Sequence, residues 1–313
     1  MENKLPILSI NIPTYNRPLQ IQQQVRRILP QLSDEIVLNV FDNHSQQSVE
    51  SLFTSEEKRH FNIVRHRYNI GGDANIARCF EECNTKWLWT LSDDDFVLPN
   101  AVNTILKYIK DNEDCVFINF WSNKPGLTTS YKEFALKLSD QSMFSAAFAM
   151  STCLYNWDVL QADLSIYYKY LSSKLGTLIM VAHNVKRTQS SCYFINNCVV
   201  ELGADVGWNY GTYIYFSSLI TDALKYTIED RKLLVGYYKT NYALIEYNRK
   251  SSNIGYFNRI QLFIKVTMLQ GLIRALYYCP KSWTRSLIST LLGDTGTYFV
   301  SRIIKSCFKF IRS

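Results

Sequence analysis

The 313-residue sequence is first informative by what it lacks. None of its eight cysteines forms a C-x-x-C pair, so no structural zinc site is signalled. No apolar stretch is long enough to span a bilayer; the best candidate, 260–278, is interrupted by Lys265 and Arg274. There is no internal repeat, no low-complexity tract, no Walker loop, no dinucleotide glycine fingerprint and no zinc-protease motif. No secretory leader opens the chain, since Met1-Glu2-Asn3-Lys4 runs straight into a strand-like segment. A cytoplasmic protein with free, mostly buried thiols is therefore expected. Charged residues make up only 19% against 47% apolar ones, so a sizeable core can form and disorder is excluded.

Aromatic residues are plentiful, with 21 Tyr and 17 Phe, and a thick core is the first expectation for them. The net charge of +7 is unevenly placed. From Arg231 onward, 14 basic residues face only Glu246 and Asp294, a net +12, whereas the preceding 20 basic and 25 acidic residues give −5. Arg302, Lys305, Lys309 and Arg312 recur at steps of three and four beside Phe299, Ile303, Cys307 and Phe310. That spacing predicts an amphipathic helix over 297–312, lying on an anionic membrane surface. A tail packed on the protein's own core, with solvated charges, is the plain alternative.

The first half alternates apolar runs with helix-like segments. Strands are predicted at 5–12, 36–41, 61–64, 87–91 and 115–120. Helices are predicted after Pro18, over 74–83 and after Pro99, where proline suits a first turn. This rhythm implies an α/β fold with a doubly wound, mainly parallel sheet flanked by helices. Residues 131–200 are less regular, and the chain beyond Phe216 reads as helical. There Leu262, Val266, Leu269, Ile273 and Leu276 follow one helical stripe.

In such sheets ligands bind beyond the carboxyl ends of strands. The polar clusters fall at those ends. Asp93, Asp94 and Asp95 follow the fourth strand. Three adjacent carboxylates repel unless a cation joins them, and carboxylates with diphosphate oxygens suit Mg²⁺ or Mn²⁺. A solvated acidic turn is the alternative. Asp42 closes the second strand and can accept from a base N–H or a ribose hydroxyl, or simply make an Asx turn. Asn69, Gly71, Gly72 and Asn75 form a glycine turn that leads into a helix and can bring backbone N–H groups to a ligand.

These motifs carry a resemblance. Leu8 to Arg17, Phe41-Asp42-Asn43-His44-Ser45, Asn69 to Asn75 and Leu91 to Asp95 resemble, in order, the motifs of family 2 glycosyltransferases. The branch is that of bacterial surface-polysaccharide sugar transferases, and the likeness covers roughly residues 5–120. It implies the GT-A fold and an inverting transfer from a nucleotide diphosphate sugar, with UDP as the nucleotide. Pro13 and Tyr15 would border the nucleobase, with Arg17 beside them and Asp42 bonding the base edge. Asn69, Gly71 and Asn75 would line the ribose and diphosphate. Asp93 and Asp94 would contact the donor, and Asp95 with Asp93 would hold the metal, although the triplet leaves the register open and Asp94 could replace either.

The family's acidic base has no counterpart near Leu175-Gly176-Thr177-Leu178, which leaves Asp158, Asp163, His183, Glu201 and Asp205 as candidates. The expected organisation is a glycosyltransferase domain over 1–215, with a nucleotide-binding half 1–120 and an acceptor half 121–215. A basic helical C-terminal extension follows over 216–313. The acceptor implied is a glycan or lipid-linked glycan, at the inner face of the cell membrane. A sugar-nucleotide-binding protein without transfer activity is the rival reading. Nucleic acid is not expected as a partner, because the tail's charges interleave with apolar residues at helical spacing.

Overall fold

A line of asparagines crosses the sheet from its edge towards its centre. In the computed structural model, which describes residues 5–203, 217–251 and 256–293, strands β1 (Leu8–Thr14), β2 (Ile36–Asp42) and β3 (Asn62–Arg65) run parallel. Asn11, Asn39 and Asn62 stand in one register. Asn62 Nδ2 donates to Asn39 Oδ1 at 2.9 Å, and Asn39 Nδ2 donates to Asn11 Oδ1 at 2.7 Å. Asn11 Nδ2 donates in turn to the Cys79 carbonyl at 2.6 Å. Buried amides are tolerated here because each finds a partner. On the opposite face of β1, Leu8, Ile10 and Ile12 enter the main apolar core.

The chain divides into two compact units, residues 1–137 with 145–207, and residues 138–144 with 208–313. The first holds an eight-stranded sheet in the order β3-β2-β1-β4-β8-β6-β9-β7. Its further strands are β4 (Trp87–Thr90), β6 (Cys115–Asn119), β7 (Trp121–Thr128), β8 (Cys153–Asn156) and β9 (Ser191–Asn196). A small antiparallel pair joins β5 (Phe96–Val97) to β10 (Val200–Glu201). The block β3-β2-β1-β4 is wholly parallel, as the rhythm predicts. Beyond it the sheet turns mixed: β8 runs antiparallel between β4 and β6, and β7 runs antiparallel to β9.

Helices cover both faces. The helix α1 (Pro18–Ile28) and α3 (Ala101–Asp111) bury Ile21, Val25, Ile28, Val102, Ile105, Leu106 and Ile109 against the apolar core. The helix α2 (Gly72–Glu81) meets the asparagine face through Cys79. Four short helices, α4 (Tyr131–Leu138), α5 (Gln141–Phe148), α6 (Trp157–Leu160) and α7 (Leu164–Lys169), precede α8 (Gly176–Thr188), which is buried over most of its circumference. Seven cysteines are described; all are free and six are buried. Burial pushes the Cys115 and Cys153 thiols up to about 11, so they remain protonated packing groups.

The second unit is helical, with α9 (Ile220–Ala223), α10 (Ile228–Ser251), α11 (Tyr256–Gln270) and α12 (Leu272–Tyr278), and residues 280–293 are helical as well. A capping box starts α10: Asp230 Oδ2 accepts from the Thr227 amide at 2.9 Å, and Thr227 Oγ1 accepts from the Asp230 amide at 3.1 Å. Its core is rich in tyrosine, with Tyr237, Tyr238 and Tyr242 buried among Leu233, Phe263 and Val266.

The single apolar stripe read across 262–276 is corrected by the structure. Gly271 adopts φ +78°, where a side chain would be strained, and the segments Ile260–Leu269 and Leu272–Tyr278 bend by 86°. Ile273 is consequently 85% exposed instead of continuing the buried face of Val266. Among the described residues no single helix is long and apolar enough to cross a membrane; only that bent pair, taken together, meets the length and composition. The amphipathic segment 297–312, with Arg302, Lys305, Lys309 and Arg312, lies outside the described residues.

Candidate active site

The chain reverses its winding at β1, stepping to β2 and β3 on one side and to β4 on the other. A crevice opens beyond the carboxyl ends of strands at such a point. The turn after β1 and the turn after β4 meet there. Thr14 Oγ1 donates to Asp93 Oδ2 at 2.6 Å. Arg17 Nη1 donates to Asp93 Oδ1 at 2.9 Å and to Asp94 Oδ2 at 2.6 Å. Ser92 Oγ donates to the other Asp94 oxygen at 2.5 Å.

Asp95 is held from a distant part of the chain. Its Oδ1 accepts from the Gly203 amide at 2.8 Å, and the Ser151 hydroxyl bonds it as well. A Cβ built on Gly203 would lie 2.5 Å from the Asp94 carbonyl oxygen, so only glycine permits this approach. The backbone of the triplet is gripped by Gln24, which is fully buried on α1. Gln24 Nε2 donates to the carbonyls of Ser92 at 2.9 Å and Asp95 at 2.6 Å, and Gln24 Oε1 accepts from the Val97 amide at 3.1 Å.

The electrostatics are unbalanced. Among the described residues, the Arg17 guanidinium pairs with Asp93 and Asp94 and acts on Asp95 only at a distance. Burial raises the Asp93 carboxyl above its ordinary value, outweighing Thr14 and Arg17, and Asp94 adds to the rise. Burial likewise raises Asp95, against the opposing bonds from Ser151 and Gly203. Arg17 is raised in its turn, because the attraction of Asp93 and Asp94 exceeds the cost of its own burial.

Extra positive charge would relieve this group. Among the described residues, no three His, Cys, Asp or Glu side chains form a ready-made metal site. The triplet therefore fits a divalent cation that draws much of its oxygen shell from a bound diphosphate, as Mg²⁺ commonly does.

The end of β2 is built differently. Asp42 is 0% exposed. Its Oδ1 accepts from the Ser45 amide at 2.8 Å, and its Oδ2 accepts from Arg65 Nη1 at 2.5 Å and from the Val49 amide at 3.4 Å. Burial works to raise this carboxyl, but Ser45, Val49 and Arg65 together hold it below its ordinary value. Asp42 thus staples its own loop and is fully buried by it.

That loop is stitched to the β1 turn. Asn16 donates its amide to Ser45 Oγ at 2.9 Å, and Asn16 Oδ1 accepts from the Gln46 amide at 2.8 Å. Tyr15, between Thr14 and Asn16, is 43% exposed, so its ring is available for stacking; Pro13 is partly buried beneath it in the chain.

The glycine turn joins the same loop. Asn69 Oδ1 accepts from Asn43 Nδ2 at 3.0 Å and from the Gly71 amide at 2.9 Å, and Asn43 Oδ1 accepts from the Ile70 amide at 2.9 Å. Asn75 is buried, with Nδ2 on the Phe41 carbonyl at 3.1 Å and Oδ1 at 2.8 Å from His66 Nε2. Asn75 therefore fixes the start of α2 and presents little of itself to a ligand.

The candidate bases are scattered. Asp163 is buried and accepts from His183 Nδ1 at 3.0 Å, Asn184 Nδ2 at 2.6 Å and Arg187 Nη2 at 3.0 Å, all on α8. Those bonds outweigh burial and lower the Asp163 carboxyl, which makes it a weak proton acceptor. His183 is 45% exposed and oriented by Asp163, but none of these bonds reaches the triplet. Asp158 is exposed on α6. Glu201 pairs with Phe96 in the β5–β10 ladder, and its side chain turns outward to Arg27 at 3.6 Å. Asp205 lies outside the described residues.

Sequence reading missed Thr14, Gln24, Arg65, Ser151 and Gly203. Only Thr14 lay within a recognised motif; the others are brought in by tertiary packing.

Comparison with known proteins bears on family and fold. Residues 9–170 match the family described as Glycosyl transferase family 2. A GalNAc(5)-diNAcBac-PP-undecaprenol beta-1,3-glucosyltransferase of Campylobacter jejuni is 25% identical over 136 residues, 42% of this chain and 43% of the relative. The matched segment thus spans less than half the length of that relative.

Among solved structures, S. aureus TarS 1–349 has a TM-score of 0.60 at 12% identity, covering 92% of both chains. The same fragment has been solved in complex with UDP-GlcNAc, and that structure gives a TM-score of 0.58 at 10% identity over 90% of this chain and 91% of the other. The mannosyltransferase PcManGT of Pyrobaculum calidifontis, solved with GDP-Man and Mn2+, has a TM-score of 0.50 at 12% identity, covering 93% of this chain and 88% of the other. At such identities these likenesses speak to the fold, which is GT-A. With the family match covering more than half the sequence, on a fold of the GT-A kind, the chain belongs to glycosyl transferase family 2.

Proposed function

We propose that the chain transfers a sugar from a uridine diphosphate donor to a hydroxyl of a lipid-linked glycan, with inversion at the anomeric carbon, in surface-polysaccharide synthesis. The observation that carries this reading is the joining of Thr14, Arg17, Asp93 and Asp94 where the winding of the sheet reverses. The similar proteins support the substrate class: one is a glucosyltransferase of an undecaprenol-diphosphate-linked glycan and another was solved with UDP-GlcNAc.

The exposed ring of Tyr15 stacks on the base, and Asp42 acts at one remove by fixing the 43–49 loop beside it. Arg17 and Asp94 orient the donor's sugar and phosphates. Asp95 and Asp93 would hold a divalent cation, Mn²⁺ or Mg²⁺, which when bound supplies positive charge to the departing diphosphate. The acceptor oxygen attacks the anomeric carbon, the bond from that carbon to the diphosphate oxygen breaks, and the hydroxyl proton passes to a base. The products are the glycoside and UDP.

The test is a transfer assay with a panel of UDP-sugars and an undecaprenol-diphosphate-linked glycan, with and without Mn²⁺. UDP release accompanied by acceptor extension is expected. Binding of a UDP-sugar without extension of any acceptor would favour the rival, a sugar-nucleotide-binding protein. Calorimetry adds a sharper check: Mn²⁺ and UDP should each bind at least about tenfold tighter in the other's presence, because the triplet alone is an incomplete ligand set.

A further inference from the structure

The second unit contains a cavity of about 300 Å³, lined by none of the residues assigned above to the donor or the metal. Lys225, Arg231 and Arg274 line it, together with Asp222, Tyr238 and Tyr278. Arg231 and Tyr238 sit seven residues apart on one face of α10, and Arg274 and Tyr278 sit four apart on α12, so both helices turn a cation and an aromatic ring into the same space. Lys225 has an exposed partner in Asp222 at 3.4 Å. Among the described residues, no carboxylate pairs with Arg231 or Arg274. Three cations therefore face one carboxylate.

Tyr238 points to what fills the cavity. The residue is 0% exposed, and its hydroxyl is buried without a hydrogen-bond partner at normal geometry, although the Arg274 charge lies near it. An orphaned buried hydroxyl carries a cost that a ligand oxygen would remove. The Tyr238 ring stacks on Tyr278, with centroids 5.4 Å apart and planes at 14°. The volume exceeds what a bare ion needs and matches the lower end of small-organic-ligand pockets, about 300–1,000 Å³.

We propose that this cavity binds a phosphate ester. The phosphate takes charged hydrogen bonds from Arg231, Arg274 and Lys225 and the hydroxyl proton of Tyr238, and the attached polyol or sugar lies against the tyrosine pair. A carboxylate offers fewer acceptor oxygens and less charge to the same four donors. The site belongs to the second unit alone and does not depend on the proposed donor or acceptor.

Calorimetry on the full chain in phosphate-free buffer tests it, with glycerol 3-phosphate, inorganic phosphate, glycerate and phosphatidylglycerol vesicles as probes. Saturable binding of glycerol 3-phosphate is expected, at least about tenfold tighter than inorganic phosphate or glycerate. Tyr238→Phe should weaken it about tenfold with little change in the ligand-free melting temperature, because that hydroxyl has no partner at normal hydrogen-bond geometry. The exposed pair Arg231→Gln and Arg274→Gln should abolish it, and UDP affinity should be unchanged in every variant. Vesicle binding lost in the arginine variant would identify a lipid headgroup as the source of the ester; indifference to vesicles, with glycerol 3-phosphate still bound, would identify a soluble or glycan-borne one. Absence of saturable binding in the wild type, or wild-type affinity in these variants, overturns the site. Equal affinity for inorganic phosphate or glycerate overturns the ester assignment.

Discussion

The turns after β2 and β4, the two strands that flank β1, both carry buried aspartates, yet one is satisfied and the other is not. At the end of β2, Asp42 accepts from two backbone amides and an arginine, and its carboxyl is lowered. After β4, Asp93 and Asp95 are raised, and among the described residues Arg17 pairs with Asp93 and Asp94 but not with Asp95. A carboxylate whose bonds are complete is scaffold. A group that remains electrostatically costly after its local bonds are made marks a place where something else is to bind. The contrast separates two aspartate motifs that look alike in sequence.

The largest effect that could break this contrast is on turnover. Asp95→Asn keeps the shape that accepts from Gly203 and bonds Ser151 but removes a charge. We expect turnover to fall by at least about two powers of ten, the scale seen when an electrostatic stabiliser is lost. Near-normal activity, or full activity in EDTA, would show that the triplet is an ordinary acidic turn.

Next in size is the stability of the β2 end. Asp42→Ala removes charged hydrogen bonds and leaves Arg65 without its carboxylate, at a cost of roughly 2 kcal/mol by urea unfolding. UDP affinity should weaken as the loop loosens. Because the Asp42 carboxyl is lowered in the folded protein, its contribution is present above the unfolded value of about 3.9 and is lost as pH falls through the lower folded value. An unchanged urea midpoint would mean that the loop does not need its staple.

The smallest effect has the opposite sign. Asp95→Asn should make the ligand-free protein slightly more stable at pH 7, by less than about 1 kcal/mol, because a costly half-buried charge is gone. The Asp95 carboxyl is raised on folding, so its cost is full above the folded value and disappears as pH falls towards the unfolded one. The stability gap between variant and wild type should therefore narrow with acidification. A gap that widens would place Asp95 with Asp42 among the scaffold residues.

Much of this half of the molecule was legible in sequence because its signals are local. Strands with apolar alternation, Pro18 at a helix start and polar residues after each strand all lie within a few positions of one another. Gln24, Ser151 and Gly203 were not legible, since they reach Ser92 and the triplet from 59 to 108 residues away and each reads alone as an ordinary residue. The insertion of β8 between β4 and β6 was equally hidden, because an antiparallel strand buried on both faces has no distinctive period. In the second unit the stripe over 262–276 misled for the reverse reason. Its spacing was sound, but one glycine redirected the helix and carried the later residues to the surface.

The asparagine line across β1, β2 and β3 has a consequence for how the site is assembled. Apolar side chains tolerate being exchanged for one another, whereas amides 2.7 to 2.9 Å apart accept only one alignment of their strands. Sliding β3 by a single position would turn Asn62 into the wrong layer and carry Arg65 to the far side of the sheet, away from Asp42. The short edge strand is thus indexed from the interior outward. The cation that closes the β2 loop arrives on the correct side because three residues earlier an amide has already found its place.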